Sequence, residues 1–394
     1  MRVAKTSAIS VPAIGVMVLA MTGLGSPVAA QSSAPDPGLT IGLDLEMEAV
    51  EPGVFHVVSD GVRELSHEIE FLEFNEWGPP GWLYRTNATR SAGISANASG
   101  IWLRRPEGIV RLGEEELVWS PKPGDLTPEF DVASDGTLYQ RRQGLVLTDG
   151  EWRPVRPRVR GVELEQTHAL RIAPDGTRWI KGTNGRNRES RRPRLARRDD
   201  DGWVRVESPP RPPQQAKTER HAGIGAWGVA EDGVVYVQRD GDVQRFDGSG
   251  WETLTRPDGG IQHLLVGTDG TVWVNHSNPA SLTRLDGDEW TMYDVPPHLR
   301  LQGLEHAAVG LDGAYWYTPM GDPMSSGGCD GVIRTDGPTS ERYLRGTCVY
   351  DIAIGPGGGV WVEATTWTGD YQTPESIGPL EVYLIAPDAA LSGG

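Results

Sequence analysis

The chain has 394 residues and a formal charge of −17, with 51 glycines, 30 prolines, 14 tryptophans and 38% hydrophobic residues. That length exceeds one ordinary core, so several domains or one large repeat fold is expected. The apolar and tryptophan content excludes wholesale disorder, and the negative balance excludes long-range attraction to nucleic acid or anionic membrane surfaces.

The first thirty residues, MRVAKTSAISVPAIGVMVLAMTGLGSPVAA, read as an export signal. Arg2 and Lys5 form the charged start, Ala13 to Met21 a short apolar run, and Val28-Ala29-Ala30 a cleavage site. The run falls well short of the ~20 residues a spanning helix needs. No cysteine lies near the cleavage point, so a lipid anchor has no support. Removal of Arg2 and Lys5 takes the formal charge from −17 to −19. Residues 31–45 read as a disordered or linker segment, 46–387 as a single domain and 388–394 as a flexible tail. The expectation is a monomer secreted to the periplasm or beyond, with no membrane insertion and no nucleic-acid partner.

Seven strings then repeat one pattern: ISANASGIWL, FDVASDGTLYQ, LRIAPDGTRWI, WGVAEDGVVYV, LLVGTDGTVWV, AAVGLDGAYWY and IAIGPGGGVWV. Apolar residues alternate, a glycine-containing turn follows, and an aromatic sits in the next strand. The aromatics are Trp102, Tyr139, Trp179, Tyr236, Trp273, Trp316 and Trp361, spaced by 37, 40, 57, 37, 43 and 45 residues. A second turn completes each unit, as in GLVLTDGEW, DVQRFDGSGW and SLTRLDGDEW. Alternation on both sides of Asp-Gly predicts a hairpin, because glycine takes positive φ freely and aspartate tolerates it. Two hairpins per unit of roughly 40–45 residues make a propeller blade.

The predicted fold is therefore all-β, a seven-bladed β-propeller of four-stranded antiparallel blades. Pro52 to Leu65 resembles the last two strands of a blade, and the C-terminal unit ending PLEVYLIAPD lacks a fourth strand. Joining them closes the ring and removes exposed sheet edges. Six or eight blades remain open, because IEFLEFNEWGPPGWLYR (69–85) does not align; completing the first blade is one use for it. One aromatic at the same slot of every repeat reads as inter-blade packing, with a stacking row for sugars or bases as the alternative. Trp152, Trp203, Trp251 and Trp290 read likewise as scaffold of the outer strands.

Units such as DGTVWV followed by SLTRLDGDEWTMY resemble the two-component regulator propeller repeat of extracellular sensor regions in bacterial histidine kinases, over roughly residues 130–362. The resemblance implies a propeller with a sensing or binding role. The sequence shows no kinase or DNA-binding part, which leaves binding rather than direct signalling. GTDGTVWV strands are also compatible with streptogramin-lyase-like and gluconolactonase-like propellers.

Counting strands outward from the channel puts the 1–2 and 3–4 turns on one face. The 2–3 connections and blade links then fall on the other, here called upper. The long stretches fall there: KGTNGRNRESRRPRLARR, PPRPPQQAKTERHAG, TPMGDPMSSGGC and EATTWTGDYQTPESIG. Loops carry function more often than the scaffold beneath them, so the upper face is the expected binding face. Arg188, Arg191 and Arg192 of the arginine-rich insertion suit an anion, against a solvated loop paired with Asp199 to Asp201. Trp367 and Tyr371, off the repeat slots, suit stacking on a ligand, against packing on their own blade.

Cys329, before a third strand, and Cys348, before a first strand, are the only cysteines and form the expected disulfide, bracing the upper face. Closing a loop of that size is worth ~3 kcal/mol in the chain-entropy model.

Six residues before each first-turn position lie Gly93, Glu129, Ala169, Ala226, His263, His306 and Asp351. In a closed ring they surround the upper mouth of the channel. His263, His306 and Asp351 are competent ligands for a divalent metal, and with Glu129 they are candidate acid/base groups. Solvated polar residues lining a wet channel are the competing reading. No GxSxG, P-loop, HExxH or EF-hand spacing is present, and no cofactor motif beyond that collar. Two functions follow: a secreted, non-catalytic propeller binding a small molecule or protein on its upper face, and a metal-assisted lyase or lactone hydrolase at the channel mouth.

Overall fold

Each aligned segment becomes a hairpin for a local reason. The computed structural model describes residues 47–57, 93–97, 99–105, 108–114, 117–120, 130–140, 144–155, 158–159, 162–163, 166–173, 176–183, 194–199, 202–206, 224–230, 232–239, 242–254, 261–277, 280–294, 307–319, 331–367 and 377–386. In the first turns, Asp135, Asp232, Asp269 and Asp312 accept the backbone N–H two residues on, at 2.9, 3.0, 2.9 and 3.1 Å. The glycine after each takes positive φ, for example 81° at Gly136, and closes a three-residue loop with a bulge. The second turns differ. In Asp149-Gly150 both residues take positive φ, 53° and 74°, which is the two-residue type I′ geometry. Asp-Gly therefore marks two distinct turns.

These hairpins assemble into seven antiparallel blades of four strands, one of them widened by a fifth, with a small two-stranded ribbon, Arg158–Val159 and Val162–Glu163, beside them. In chain order the first six blades span residues 93–119, 130–154, 166–206, 224–254, 261–294 and 307–343. The seventh combines Thr347–Ile354, Val360–Trp367 and Ile377–Ile385 with the N-terminal strand Val54–Val57. The first blade is complete without 69–85, which lies outside the described residues, as do 1–46 and 387–394. Of the two strands expected within 52–65, the described residues hold one, Val54–Val57. Met47–Glu51 pairs outside it as a fifth strand. First strands touch in sequence around the ring, and Thr347–Ile354 touches Gly93–Asn97, so the ring closes.

What holds neighbouring blades together is the aromatic row. Trp102 packs among Phe130, Val132 and Leu138 of the second blade, and Tyr139 among Leu170 and Ile180 of the third. Trp179 meets Trp227, Val235 and Val237; Tyr236 meets Leu264, Val272 and Val274. Trp273 lies with Tyr315, Tyr317 and Ile333, and Trp316 with Ile352, Val360 and Val362. Trp361 returns to Ile94, Ile101 and Leu103 of the first blade. All seven are buried. Trp152, Trp203, Trp251 and Trp290 lie half-buried in fourth strands against the same clusters.

A second row was hidden in the sequence. An arginine of the third strand stands opposite the aromatic in five blades: Arg111 by Trp102, Arg197 by Trp179, Arg245 by Tyr236, Arg284 by Trp273 and Arg334 by Trp316. Arg111, Arg284 and Arg334 lie 6.0, 5.7 and 6.0 Å from the ring centroids, within cation–π range. In the second blade Val146 takes that place, and Arg178 of the third blade covers Tyr139 at 5.3 Å instead.

The closing seam has its own device. Arg105 of the first blade and Glu363 of the seventh form a buried ion pair. Burial drives the Glu363 carboxyl upward while Arg105 opposes the shift, and the nearby Asp351 adds to it. Removing one member leaves the other charge uncompensated, whereas replacing both by apolar residues removes the desolvation cost as well. Arg105→Leu is expected to cost about 3–5 kcal/mol in urea denaturation, and Arg105→Leu with Glu363→Leu to recover most of it. Equal losses in the single and double variants would refute this account of the seam.

Candidate functional site

Strand order fixes which connections share a face. Every 1–2 and 3–4 connection among the seven sheets has five residues or fewer. On the opposite face the segments between described strands run to 184–193, 207–223, 295–306, 318–331 and 368–376. The turn face also satisfies its own charges: Arg178 donates to Asp135, Arg334 to Asp312 and Arg245 to Glu252, each at 2.7 Å. Arg245 further pairs across blades with Asp288 at 3.0 Å.

Of the residues expected on the upper face, Arg188, Arg191, Arg192, Tyr371 and Cys329 lie outside the described residues. Trp367 ends the strand Val360–Trp367, opposite Ile377. Cys348 carries no free thiol; it lies inside the strand Thr347–Ile354 rather than before it, opposite Thr365.

The collar positions share one register. Gly93 stands opposite Arg104, Ala169 opposite Lys181, His263 opposite Asn275 and Asp351 opposite Glu363. A register shift directly precedes Ala169, His263 and Asp351, where a bulge re-aims the strand as it leaves the sheet. Glu129 and His306 lie outside the described residues.

The facing row on second strands went unread in the sequence, although its signal is simple: a polar residue two positions after the aromatic. Among the described strands it comprises Arg104, Lys181, Gln238, Asn275 and Glu363, and Thr318 directly follows the strand of the sixth blade. Several of these tie blades together. Gln238 donates from Nε2 to the Ile261 carbonyl of the next blade at 3.0 Å and accepts from Ala226 N–H at 3.4 Å. Lys181 is driven toward its neutral form by burial, with Arg171 adding to the effect.

The environments of the two described polar collar residues, His263 and Asp351, differ sharply. Asp351 accepts Ile94 N–H of the first blade through Oδ2 at 3.0 Å and Ile352 N–H through Oδ1 at 2.9 Å. Both carboxylate oxygens therefore already hold backbone, one of them across the closing seam. His263 presents a buried Nε2 with no hydrogen-bond partner, and Asn275 across from it a buried Oδ1 in the same condition. Among the described residues no three of His, Cys, Asp and Glu converge as metal ligands. What this end of the ring offers chemically is a neutral imidazole beside a free amide.

No protein-family model matches the chain, and no curated protein matches it in sequence. Several solved structures show a partial likeness to it. The extracellular domain of a hybrid two-component system, BT3049 of B. thetaiotaomicron, is 9% identical with a TM-score of 0.44, covering 77% of this chain and 40% of that one. A virginiamycin B lyase from Staphylococcus aureus, crystallised as an inactive variant with quinupristin, is 13% identical with a TM-score of 0.40, over 66% of this chain and 94% of its own. A gluconolactonase, XC5397 of Xanthomonas campestris, is 12% identical with a TM-score of 0.37, over 75% and 86%.

Burial without a counter-charge disfavours the imidazolium and lowers the pKa of His263 below its ordinary 6.5. The unfolded chain then binds this proton more readily, so the group's contribution to stability falls as pH drops from 6.5 toward the folded value. An NMR titration of the His263 ring is expected to show its midpoint below 6.5; a midpoint at or above that value would contradict the burial argument.

Proposed function

We propose that this chain is an exported, non-catalytic β-propeller that binds a ligand or protein partner on its upper face. The reading is carried by the inequality of the two faces. One is built of turns no longer than five residues whose carboxylates are already bonded, and the other receives every long connection. Rigid strands bearing variable loops are the usual architecture of a recognition surface. Residues 1–30 would direct export, and a Cys329–Cys348 bridge would brace the loops in an oxidising compartment.

A second reading, a metal-assisted lyase or lactone hydrolase at the channel mouth, draws on the unpartnered His263 imidazole. Elemental analysis separates the two: stoichiometric divalent metal that is lost in His263→Ala and His306→Ala would favour the enzyme.

Binding itself is tested by thermal shift of the full chain with citrate, inorganic phosphate, cellobiose and Zn2+ as probes. At least one is expected to raise the unfolding midpoint. That rise should vanish when 184–193 and 368–376 are replaced by Gly-Ser segments and persist when the turn residue Asp232 is changed to Ala. A rise that survives both loop replacements would sink the upper-face reading.

A further inference from the structure

We propose that the outer hairpin of the third blade, strands Arg194–Asp199 and Gly202–Val206, docks an extended acidic segment of a partner protein, held by Arg197, Arg198 and Arg205. This surface lies on the rim of the ring rather than on the upper face, so it goes beyond the reading given to that face and does not depend on it.

Charge is unevenly divided around the ring. Residues 166–206 carry eleven Lys and Arg against five Asp and Glu, a local +6 that already counts Asp199 to Asp201, in a chain of −17. The next three blades, 224–254, 261–294 and 307–343, carry two, one and two cations against six, five and five acids. The arginines of the third blade also lack the local neutralisation of their counterparts. Arg111, Arg245, Arg284 and Arg334 pair with Glu114, Glu252, Asp286 and Asp312 at 3.0, 2.7, 3.0 and 2.7 Å. Arg197 holds the same slot, but Val204, 37% exposed, stands opposite it where the fourth and sixth blades place Glu252 and Glu341. Among the described residues no carboxylate pairs with Arg197, Arg198 or Arg205.

Register sets two of these arginines on one side of the hairpin. Arg198 is the direct partner of Trp203, and Arg205 follows Trp203 by two, so the three side chains rise from one face. That face turns toward the second blade, because Trp203 packs with Tyr139 and Val146. Burial raises the pKa of the Tyr139 hydroxyl, and Arg178 and Arg198 oppose the rise, which sets both guanidinium groups near that ring. Arg198 and Arg205 are exposed. On the second blade Asp135 is engaged by Arg178 at 2.7 Å, and Asp149 and Glu151 by Arg153 at 3.4 and 4.0 Å.

The arrangement selects the partner. Arg198 and Arg205 occupy diagonal positions, about 7–8 Å apart at Cβ, inside a Debye length of about 8–10 Å. Their mutual repulsion is uncompensated, and a carboxylate beside each removes it. Guanidinium forks match carboxylates in bidentate geometry. Gly202–Val206 is the outermost strand of its sheet, and the two-stranded ribbon touches it without joining its ladder. Arg198 and Arg205 stand on one side of that edge and Arg197 on the other. An extended peptide laid along an edge sends successive side chains to alternate sides, so consecutive acidic residues meet both sets. A ligand lying flat on one side reaches only one.

Fluorescence anisotropy of a labelled hexaglutamate peptide with the full chain tests this. Binding is expected, and should weaken as NaCl rises from about 50 to about 500 mM, where screening is strong. The dissociation constant should rise about threefold in each of Arg197→Gln, Arg198→Gln and Arg205→Gln, the scale of an exposed charge contact. Arg345→Gln removes the same charge from an exposed position between the sixth and seventh blades and should leave the constant unchanged. The unfolding midpoints of Arg198→Gln and Arg205→Gln should stay level, because both side chains are exposed and unpaired. No binding, unchanged constants in the Arg198 and Arg205 variants, or an equal loss in Arg345→Gln would overturn the proposal. Lowered midpoints in both variants would assign the arginines to the scaffold and overturn it as well. Trigalacturonate binding as tightly as the peptide, with no loss in Arg197→Gln, would make the ligand an acidic sugar on one side and sink the peptide assignment. Self-association of the chain that these variants abolish, without peptide binding, would give the surface to a second copy instead.

Discussion

The whole ring depends on one repeated contact: an aromatic of each second strand lodged among apolar residues of the following blade. A blade alone has no means of covering both faces of its sheet, so each completes its neighbour. Burying such a ring removes about 150–250 Å² from water, on the order of 4–6 kcal/mol gross at about 25 cal/mol per Å². That is comparable with the entire net stability of an ordinary domain, about 5–15 kcal/mol. The seventh contact, Trp361 against Ile94, Ile101 and Leu103, turns a row into a circle. It is also the one reinforced by a buried ion pair and by Asp351 holding Ile94 N–H.

Much of this architecture was legible because it is periodic and local. Alternating apolar residues, an Asp-Gly turn and an aromatic at a fixed distance located the hairpins and the side on which long connections emerge, and pointed to seven blades while six or eight stayed open. Other features were not, for reasons that are equally physical. The arginines opposite the aromatics sit at a constant distance before the second turn, yet arginine in a charged strand reads as solvent-facing until the ring beneath it is seen. The segment 52–65 was placed in the right blade, but Met47–Glu51, which pairs outside Val54–Val57, was not read as a strand, since an added edge strand lies outside the repeat and leaves no mark on its periodicity.

The collar illustrates the difference between register and chemistry. Counting back from the turns located equivalent positions correctly, since Ala169, His263 and Asp351 each stand opposite the corresponding residue of the second strand. Residue type alone did not foretell what each would meet. Asp351, read as a ligand or acid/base group, has its oxygens on Ile94 and Ile352 N–H, while His263 lacks any partner for Nε2. A carboxylate beside the next blade's free N–H groups becomes a tie. An imidazole facing an uncommitted amide does not. That distinction belongs to the neighbouring blade and lies beyond any single repeat.

The N-terminal strand that completes the seventh blade imposes an order on events. Val54 pairs with Ile385, more than three hundred residues further along the chain. During synthesis this strand thus emerges early and is the last of its blade to find its neighbour. Until the final strand arrives, the incomplete circle exposes two raw sheet faces and an unpaired edge, the condition in which β-rich chains are most prone to mispairing. Closure consequently waits for the C-terminal strand, and loss of either Val54–Val57 or Ile377–Ile385 removes the same clasp.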